Sequence, residues 1–267
     1  MANIDFSKVY SYSKLEKFKK CPLDYYFYYL DPEWKGFQKP KDYKTKGSAV
    51  HNAITLFYHL KPEERNLSNL RECLYQAWFS EVDPAKEPPL GEIGGFNNIF
   101  HERKTYWEAL RMLKNFFNLE DTNPQLFYLP TKDIKHSFGD YQDSIQPLTD
   151  GVFISGKFDR IDKLENNTLR IVDFKTGKNS QDRSQLDFYA VLAELNFDLE
   201  VSMASFYYLN EGKIIDFRIT DSEKKKAKKQ ILERIEIIES TKKFIPNPSR
   251  LCSHCDFKPI CPVFKKN

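Results

Sequence analysis

The sequence lacks any run of about 18 uncharged apolar residues, which a transmembrane helix requires. Its opening, Met1-Ala-Asn-Ile-Asp-Phe-Ser-Lys8, carries no apolar core of a secretory signal. A cytoplasmic protein with no membrane partner is the expectation. There is no internal repeat. No Gly-x₄-Gly-Lys-Ser/Thr segment is present, so this chain carries no P-loop motor of its own. Gly91-Glu-Ile-Gly-Gly95 is glycine-rich but has no strand before it, and reads as a connector. An excess of one charge is missing too. The 41 Lys+Arg and 38 Asp+Glu leave a net charge of +3, and that sum points to no partner. The cysteines number five. An odd count in a reducing compartment argues against a disulfide framework and leaves metal binding or buried thiols.

What is present suffices for a sizeable core in one or two domains: 267 residues, 40 % hydrophobic and 30 % charged, with fifteen tyrosines. Gly/Pro punctuation divides the chain into stretches 1–46, 47–131, 132–220 and 221–267. In the first, Ser13 and Glu16 read as a capping box for a helix that runs on into Tyr25-Tyr-Phe-Tyr-Tyr29. Lys35 to Lys46, with five Lys against one Asp, reads as an exposed basic loop. The second stretch reads as helical, with apolar faces at Val50, Ala53, Ile54 and Phe57, at Leu67, Leu70, Leu74 and Trp78, and at Phe100, Trp107, Leu110, Leu113 and Phe117. Asp83 to Gly95 is a loop within it. The third is strand-rich. Val152–Leu164 and Thr168–Phe174 flank Glu165-Asn-Asn167, a hairpin signal, then come a helix from about Arg183 to Leu195 and strands at Val201–Leu209 and Lys213–Ile219. The last opens on the capping box Thr220-Asp-Ser-Glu223, continues as an amphipathic helix, and ends in a Pro-rich tail with three cysteines.

The strand period of two puts Leu169, Ile171, Asp173 and Lys175 on one face. A carboxylate beside an ammonium at the end of an apolar strand suggests a metal ligand next to a positioned cation. An odd hairpin loop sets Asp159 opposite Asp173, whereas an even loop turns it to the other face. Two carboxylates at cross-strand distance repel unless something positive lies between them, and Mg²⁺ or Mn²⁺ suits such oxygen ligands. The plain alternative is a set of solvated strand-end charges balanced by Lys157, Arg160 and Lys163. Gln185 and Tyr189, at i and i+4, share a helix face. Gly47-Ser-Ala-Val-His51 places His51 in the first turn of a helix beginning near Gly47, where the cationic form is disfavoured and the neutral, metal-binding form expected.

Gly-x-x-x-His (47–51), Gly-x-x-Asp-Arg-Ile-Asp (156–162), Val-Asp-Phe-Lys-Thr-Gly (172–177) and Gln-x-x-x-Tyr (185–189) occur in this order. The ordered set resembles the RecB/AddB-type branch of the PD-(D/E)xK nuclease superfamily over about residues 11–264. The resemblance implies an α/β (mixed α+β), restriction-endonuclease-like core: a central mixed sheet at 132–220 flanked by helices, a helical insertion, and chain ends joined at a metal cluster. It implies metal-dependent cleavage of DNA in recombination, repair or CRISPR-type end processing, with any helicase a separate partner. His51, Asp159, Asp173 and the Phe174 carbonyl would ligate Mg²⁺ or Mn²⁺. Lys175 would orient the attacking water, and Gln185 and Tyr189 would hold the lysine or the substrate. Members often carry a Glu shortly before the Gly-x-x-Asp motif, and Lys135 stands there in this chain, which weighs against a second catalytic metal.

Cys252-Ser-His-Cys255-Asp-Phe-Lys-Pro-Ile-Cys261 packs three thiols into ten residues and needs a fourth ligand. Cys21, Cys73 and His254 are the choices, although Cys73 lies in an apolar helical pattern that suits a buried thiol. The same family resemblance, through Ser13-x-Leu15-x-x-Phe18-x-x-Cys21-Pro22-x-x-Tyr25, implies a [4Fe–4S] cluster on Cys21, Cys252, Cys255 and Cys261, with Zn²⁺ as the rival in a Cys₄ site. The basic stretches 35–46 and 224–229 are the sequence's phosphate-binding candidates, the first the better placed and the second expected to be a solvated helix face. The tyrosines of 25–29 are expected mainly to pack.

Overall fold

The structure, a computed structural model, describes residues 5–31, 33–79, 90–119, 123–132, 144–177 and 182–265. Its seven α-helices in those residues are α1 (Tyr12–Lys20), α2 (Pro22–Tyr29), α3 (Asp42–Tyr58), α4 (Leu67–Trp78), α5 (Ile99–Leu119), α6 (Ser184–Phe197) and α7 (Asp221–Ser240). The strands are β1 (Val9–Tyr10), β2 (Leu126–Tyr128), β3 (Gln146–Thr149), β4 (Val152–Ile154), β5 (Arg160–Lys163), β6 (Leu169–Lys175), β7 (Val201–Tyr208) and β8 (Lys213–Arg218). A five-stranded mixed sheet runs β2-β5-β6-β7-β8, parallel only at β6–β7, and a three-stranded mixed sheet runs β1-β4-β3. No helix among the described residues is long and apolar enough to cross a membrane.

The large sheet separates two cores, and the alternation along β6 assigns its side chains between them. Leu169 and Ile171 join Leu186, Phe188 and Leu192 of α6 and Ile231 and Ile235 of α7. Val172 and Phe174 join Val50, Ile54 and Phe57 of α3, Leu70 of α4 and Phe116 of α5. A parallel pair needs a crossover, and α6 supplies it between β6 and β7. Six of its residues are buried, Leu186, Phe188 and Ala190 to Ala193, between the sheet and α7.

Several elements depart from expectation for local reasons. Ser11, not Ser13, caps α1 by accepting from the Lys14 N–H at 3.2 Å, and Glu16 instead meets Arg234 at 2.8 Å. The first helix does not continue into the tyrosines. Cys21 turns extended before Pro22, which opens α2. β2 pairs with β5 in a stretch whose sequence reads as helical. The expected strand Val152–Leu164 splits into β4 and β5, which belong to different sheets. Gly156 lies in the break against α6, where a Cβ would come within 2.8 Å of the Tyr189 ring. The Thr220–Glu223 capping box forms at the start of α7, as its sequence predicts. Most of 25–29 packs: Tyr25 is buried and its ring lies 5.4 Å from Phe18 and 6.1 Å from Phe244.

Candidate active site

The β5–β6 register pairs Arg160 with Val172 and Lys163 with Leu169. Carried one pair further, it sets Asp159 opposite Asp173, the arrangement that an odd hairpin loop requires. The loop is closed by Asn167 at φ 61°, a left-handed conformation that Asn tolerates. The Phe174 N–H donates to Asp159 Oδ2 at 2.9 Å, and Asp159 Oδ1 lies 2.8 Å from His51 Nδ1. Lys175 Nζ lies 2.7 Å from Asp173 Oδ2 and donates to Gln185 Oε1 at 2.5 Å. Gln185 Nε2 in turn donates to the Tyr189 hydroxyl at 3.4 Å. Residues from β6, the β5 entry, α3 and α6 therefore meet at one strand end. α3 comes close there because Gly47 faces Thr176 Oγ1, at 3.3 Å from where a Cβ would stand.

The electrostatics divide the two carboxylates. Burial, with the negative charge of Asp159 beside it, raises Asp173 to about 6 against the pull of Lys175 and His51. Burial works on Asp159 too, but His51, the Phe174 N–H and Lys175 outweigh it and hold that carboxyl below its ordinary value. Burial opposes charge on His51, yet Asp159 and then Asp173 carry its pKa above normal. The helix start that made a neutral histidine the expectation is not at Gly47. α3 begins at Asp42, so His51 stands in its third turn, beyond the reach of the N-terminal dipole. Burial and both aspartates raise the Tyr189 phenol.

The donor set suits a hard divalent cation: one imidazole and two carboxylates, with Asp173 buried and its Oδ2 met by the Lys175 ammonium. Among the described residues, no three of His, Cys, Asp and Glu converge as a metal ion would draw them. Each carboxylate is turned instead to a cationic neighbour, His51 or Lys175.

Arg160, a solvated counter-charge in the plain sequence alternative, is fully buried. Nη1 donates to the Tyr58 hydroxyl at 2.6 Å, Nη2 to Asp162 Oδ2 at 2.9 Å, and the guanidinium lies near the rings of Tyr58, Phe174 and Tyr207. It anchors β5 one residue after Asp159. Period two places Arg160 and Asp162 on one face, which is the signal the sequence holds for this pair. Lys135 and residues 83–89 lie outside the described residues.

The four expected cluster cysteines, Cys21, Cys252, Cys255 and Cys261, all border one cavity of about 260 Å³, with His254 and Phe27 also on its wall. Backbone N–H groups of Asn247 and Ser249 donate to Cys21 Sγ and Cys252 Sγ at 3.4 and 3.3 Å. Cys73 is buried in the second core, where burial pushes its thiol to about 11. Of the basic loop, Lys41 is paired with Asp256 at 2.9 Å and Lys46 with Glu108 at 2.6 Å, and residues 42–46 are helical. Lys224 is not solvated: it is buried and bound to Glu194 and Asp221.

Among similar proteins, the Gene 69 protein of Mycobacterium phage L5 is 23% identical over 96% of this chain and 96% of its own length. That of Mycobacterium phage D29 is 24% identical over 96% and 97%. An ATP-dependent helicase/deoxyribonuclease subunit of Carboxydothermus hydrogenoformans is 24% identical over 86% of this chain, which spans only 23% of that protein. The profile of the PD-(D/E)XK nuclease superfamily matches residues 9–262. That span holds both opposed aspartates, the strand lysine and the histidine of α3, and the chain belongs to the PD-(D/E)XK nuclease superfamily.

Proposed function

We propose that the chain is a metal-dependent deoxyribonuclease hydrolysing phosphodiester bonds, an exonuclease on single-stranded DNA or DNA ends in recombination, repair or CRISPR-type end processing. One observation carries the reading: Asp159 accepts from the Phe174 N–H at 2.9 Å and lies 2.8 Å from His51 Nδ1, while Lys175 Nζ lies 2.7 Å from the buried Asp173 carboxylate on the same strand end. His51, Asp159, Asp173 and the Phe174 carbonyl would hold one Mg²⁺ or Mn²⁺. Such an ion polarises a phosphoryl oxygen and makes water a stronger acid. Lys175, held between Asp173 and Gln185, orients the attacking water and offsets the charge that grows on the scissile phosphate. Tyr189 steadies Gln185.

The four stretches of the chain act as one nuclease domain. The name of the Carboxydothermus relative joins deoxyribonuclease to an ATP-dependent helicase, and we assign only nuclease chemistry here, with a helicase as a separate partner. At the chain ends, Cys21, Cys252, Cys255 and Cys261 would carry a [4Fe–4S] cluster, for which the shared cavity and the two N–H···S contacts speak. Zn²⁺ in the same site is the alternative. Brown protein that bleaches on reduction supports iron, and colourless protein with stoichiometric zinc refutes it.

The nuclease reading is tested by incubating labelled single- and double-stranded DNA with Mg²⁺ or Mn²⁺. Cleavage by wild type and its loss in Lys175→Ala and Asp173→Ala are expected. Wild type that binds DNA and never cuts it would mark a silent binding module, and full activity in both variants would place the chemistry elsewhere.

A further inference from the structure

The helix α5 faces outward in a way its sequence did not advertise. Phe100 and Trp107, expected in the core, are 77 % and 69 % exposed, because Thr105, Ala109, Met112, Leu113 and Phe116 take the inward face. Single exposed aromatics need no explanation. These two stand seven residues apart, two turns along one face, with exposed Arg103 and Lys104 between them and exposed Arg111 and Lys114 beyond. Among the described residues none of those four cations has an ion-pair partner. Arg111 donates to the neutral Asn210 side chain at 2.8 Å. The two acids of α5 are occupied elsewhere. Glu102 is buried and accepts from Trp78 Nε1 and from the Leu90 and Gly91 N–H groups, and Glu108 pairs with Lys46. Like charges on one helix face repel, so this stripe is disfavoured unless something anionic lies over it.

A short series of contacts links α5 to the site. Glu108, next to Trp107, holds Lys46 at 2.6 Å, and Lys46 precedes the Gly47 that packs on Thr176, the residue after Lys175. The Phe116 ring, on the inner face of α5, lies 5.6 Å from that of Phe174. Alternating cations and aromatics match a charged, base-bearing single strand, since phosphates meet the cations and unpaired bases stack on the rings. In a duplex the base faces are already stacked on one another and cannot use the rings.

We infer that the outward face of α5, from Phe100 to Lys114 and about 21 Å long, is a track that binds single-stranded DNA leading to the Asp159/Asp173 site. This rests on the nuclease reading. The test measures binding of fluorescein-labelled oligo-dT by anisotropy without added divalent metal, so it reads the track whether or not the chain cuts. Phe100→Ala/Trp107→Ala is expected to weaken binding at least tenfold, with little effect on a duplex of equal length. Arg103→Gln/Lys104→Gln is expected to flatten the plot of log affinity against log salt by about 1.4, two single-strand phosphate contacts. Should the aromatic variant unfold, the charge variant still decides. Unchanged affinity and salt slope in the folded variants would overturn the inference and leave the face to a protein partner. Track-dependent binding here, with no cleavage once Mg²⁺ or Mn²⁺ is supplied, would sink the nuclease reading alone.

Discussion

The carboxylate site and the cysteine corner are built on opposite principles. Asp173 and Lys175 sit on a central strand between two cores, so their positions are imposed by packing that owes nothing to a ligand. That packing also buries Asp173 beside a second carboxylate, and the strain, chiefly of burial and secondarily of the Asp159 charge, appears as an Asp173 raised to about 6. The four cysteines are half-buried on loops and a short 3₁₀ turn at the chain ends. Their surroundings are held by Lys41–Asp256 and by aromatic contacts such as Phe27 with Phe257 at 5.2 Å. One site is a cost that the fold carries; the other, on the proposed reading, would be a joint strengthened by the metal it holds.

Variants can break this contrast. Lys175→Ala should lower DNA cleavage by at least about 10²-fold and lower the thermal midpoint only modestly, because Asp173, already raised to about 6, can take up a proton when its cation is gone. A midpoint collapse would show that the carboxylate site is structural after all. Cys21→Ala should do the reverse, costing metal content and stability with the chemistry kept in the folded fraction. Releasing the loop of chain between Cys21 and Cys252 costs up to about 5 kcal/mol on the chain-entropy account. Loss of cleavage with a full metal complement would contradict it.

Arg160→Met, which strands Asp162 in the interior, should destabilise by about 3–5 kcal/mol in urea melts. A loss below about 1 kcal/mol would mean the pair behaves as a surface one. The smallest effect concerns pH. Folded Asp173 keeps its proton to about 6 against 3.8 when unfolded, so the folded state binds more protons in that window and its stability falls as pH rises through it. Without divalent metal, Asp173→Asn should flatten that fall and be more stable than wild type at pH 7, although it should not cut DNA. Urea midpoints that track wild type from pH 4 to 7 would refute the strain.

Much of the site was readable in one dimension. Period two put Asp173 and Lys175 on one face, but the sequence left the hairpin loop odd or even, and the β5–β6 pairing decided for the register that carries Asp159 toward Asp173. Long-range packing was not readable. The start of α3 at Asp42 took His51 out of the helix N-terminus and left Asp159 to govern its charge. The apolar face of α5 was misphased because Phe100 and Trp107 look like core residues to any periodicity count. Arg160 looked like a strand-end charge until Tyr58, from a helix about a hundred residues earlier, closed over it.

The absence of a long apolar run, a motor loop and an even cysteine count excluded whole classes from the sequence alone, and strand alternation with turn chemistry determined which residues could share the site, because those are local properties of the backbone. Tertiary structure decided which charges are solvated, which thiols border a common cavity and which aromatics face water. Burial and Coulomb interaction depend on distances between segments that no local pattern encodes.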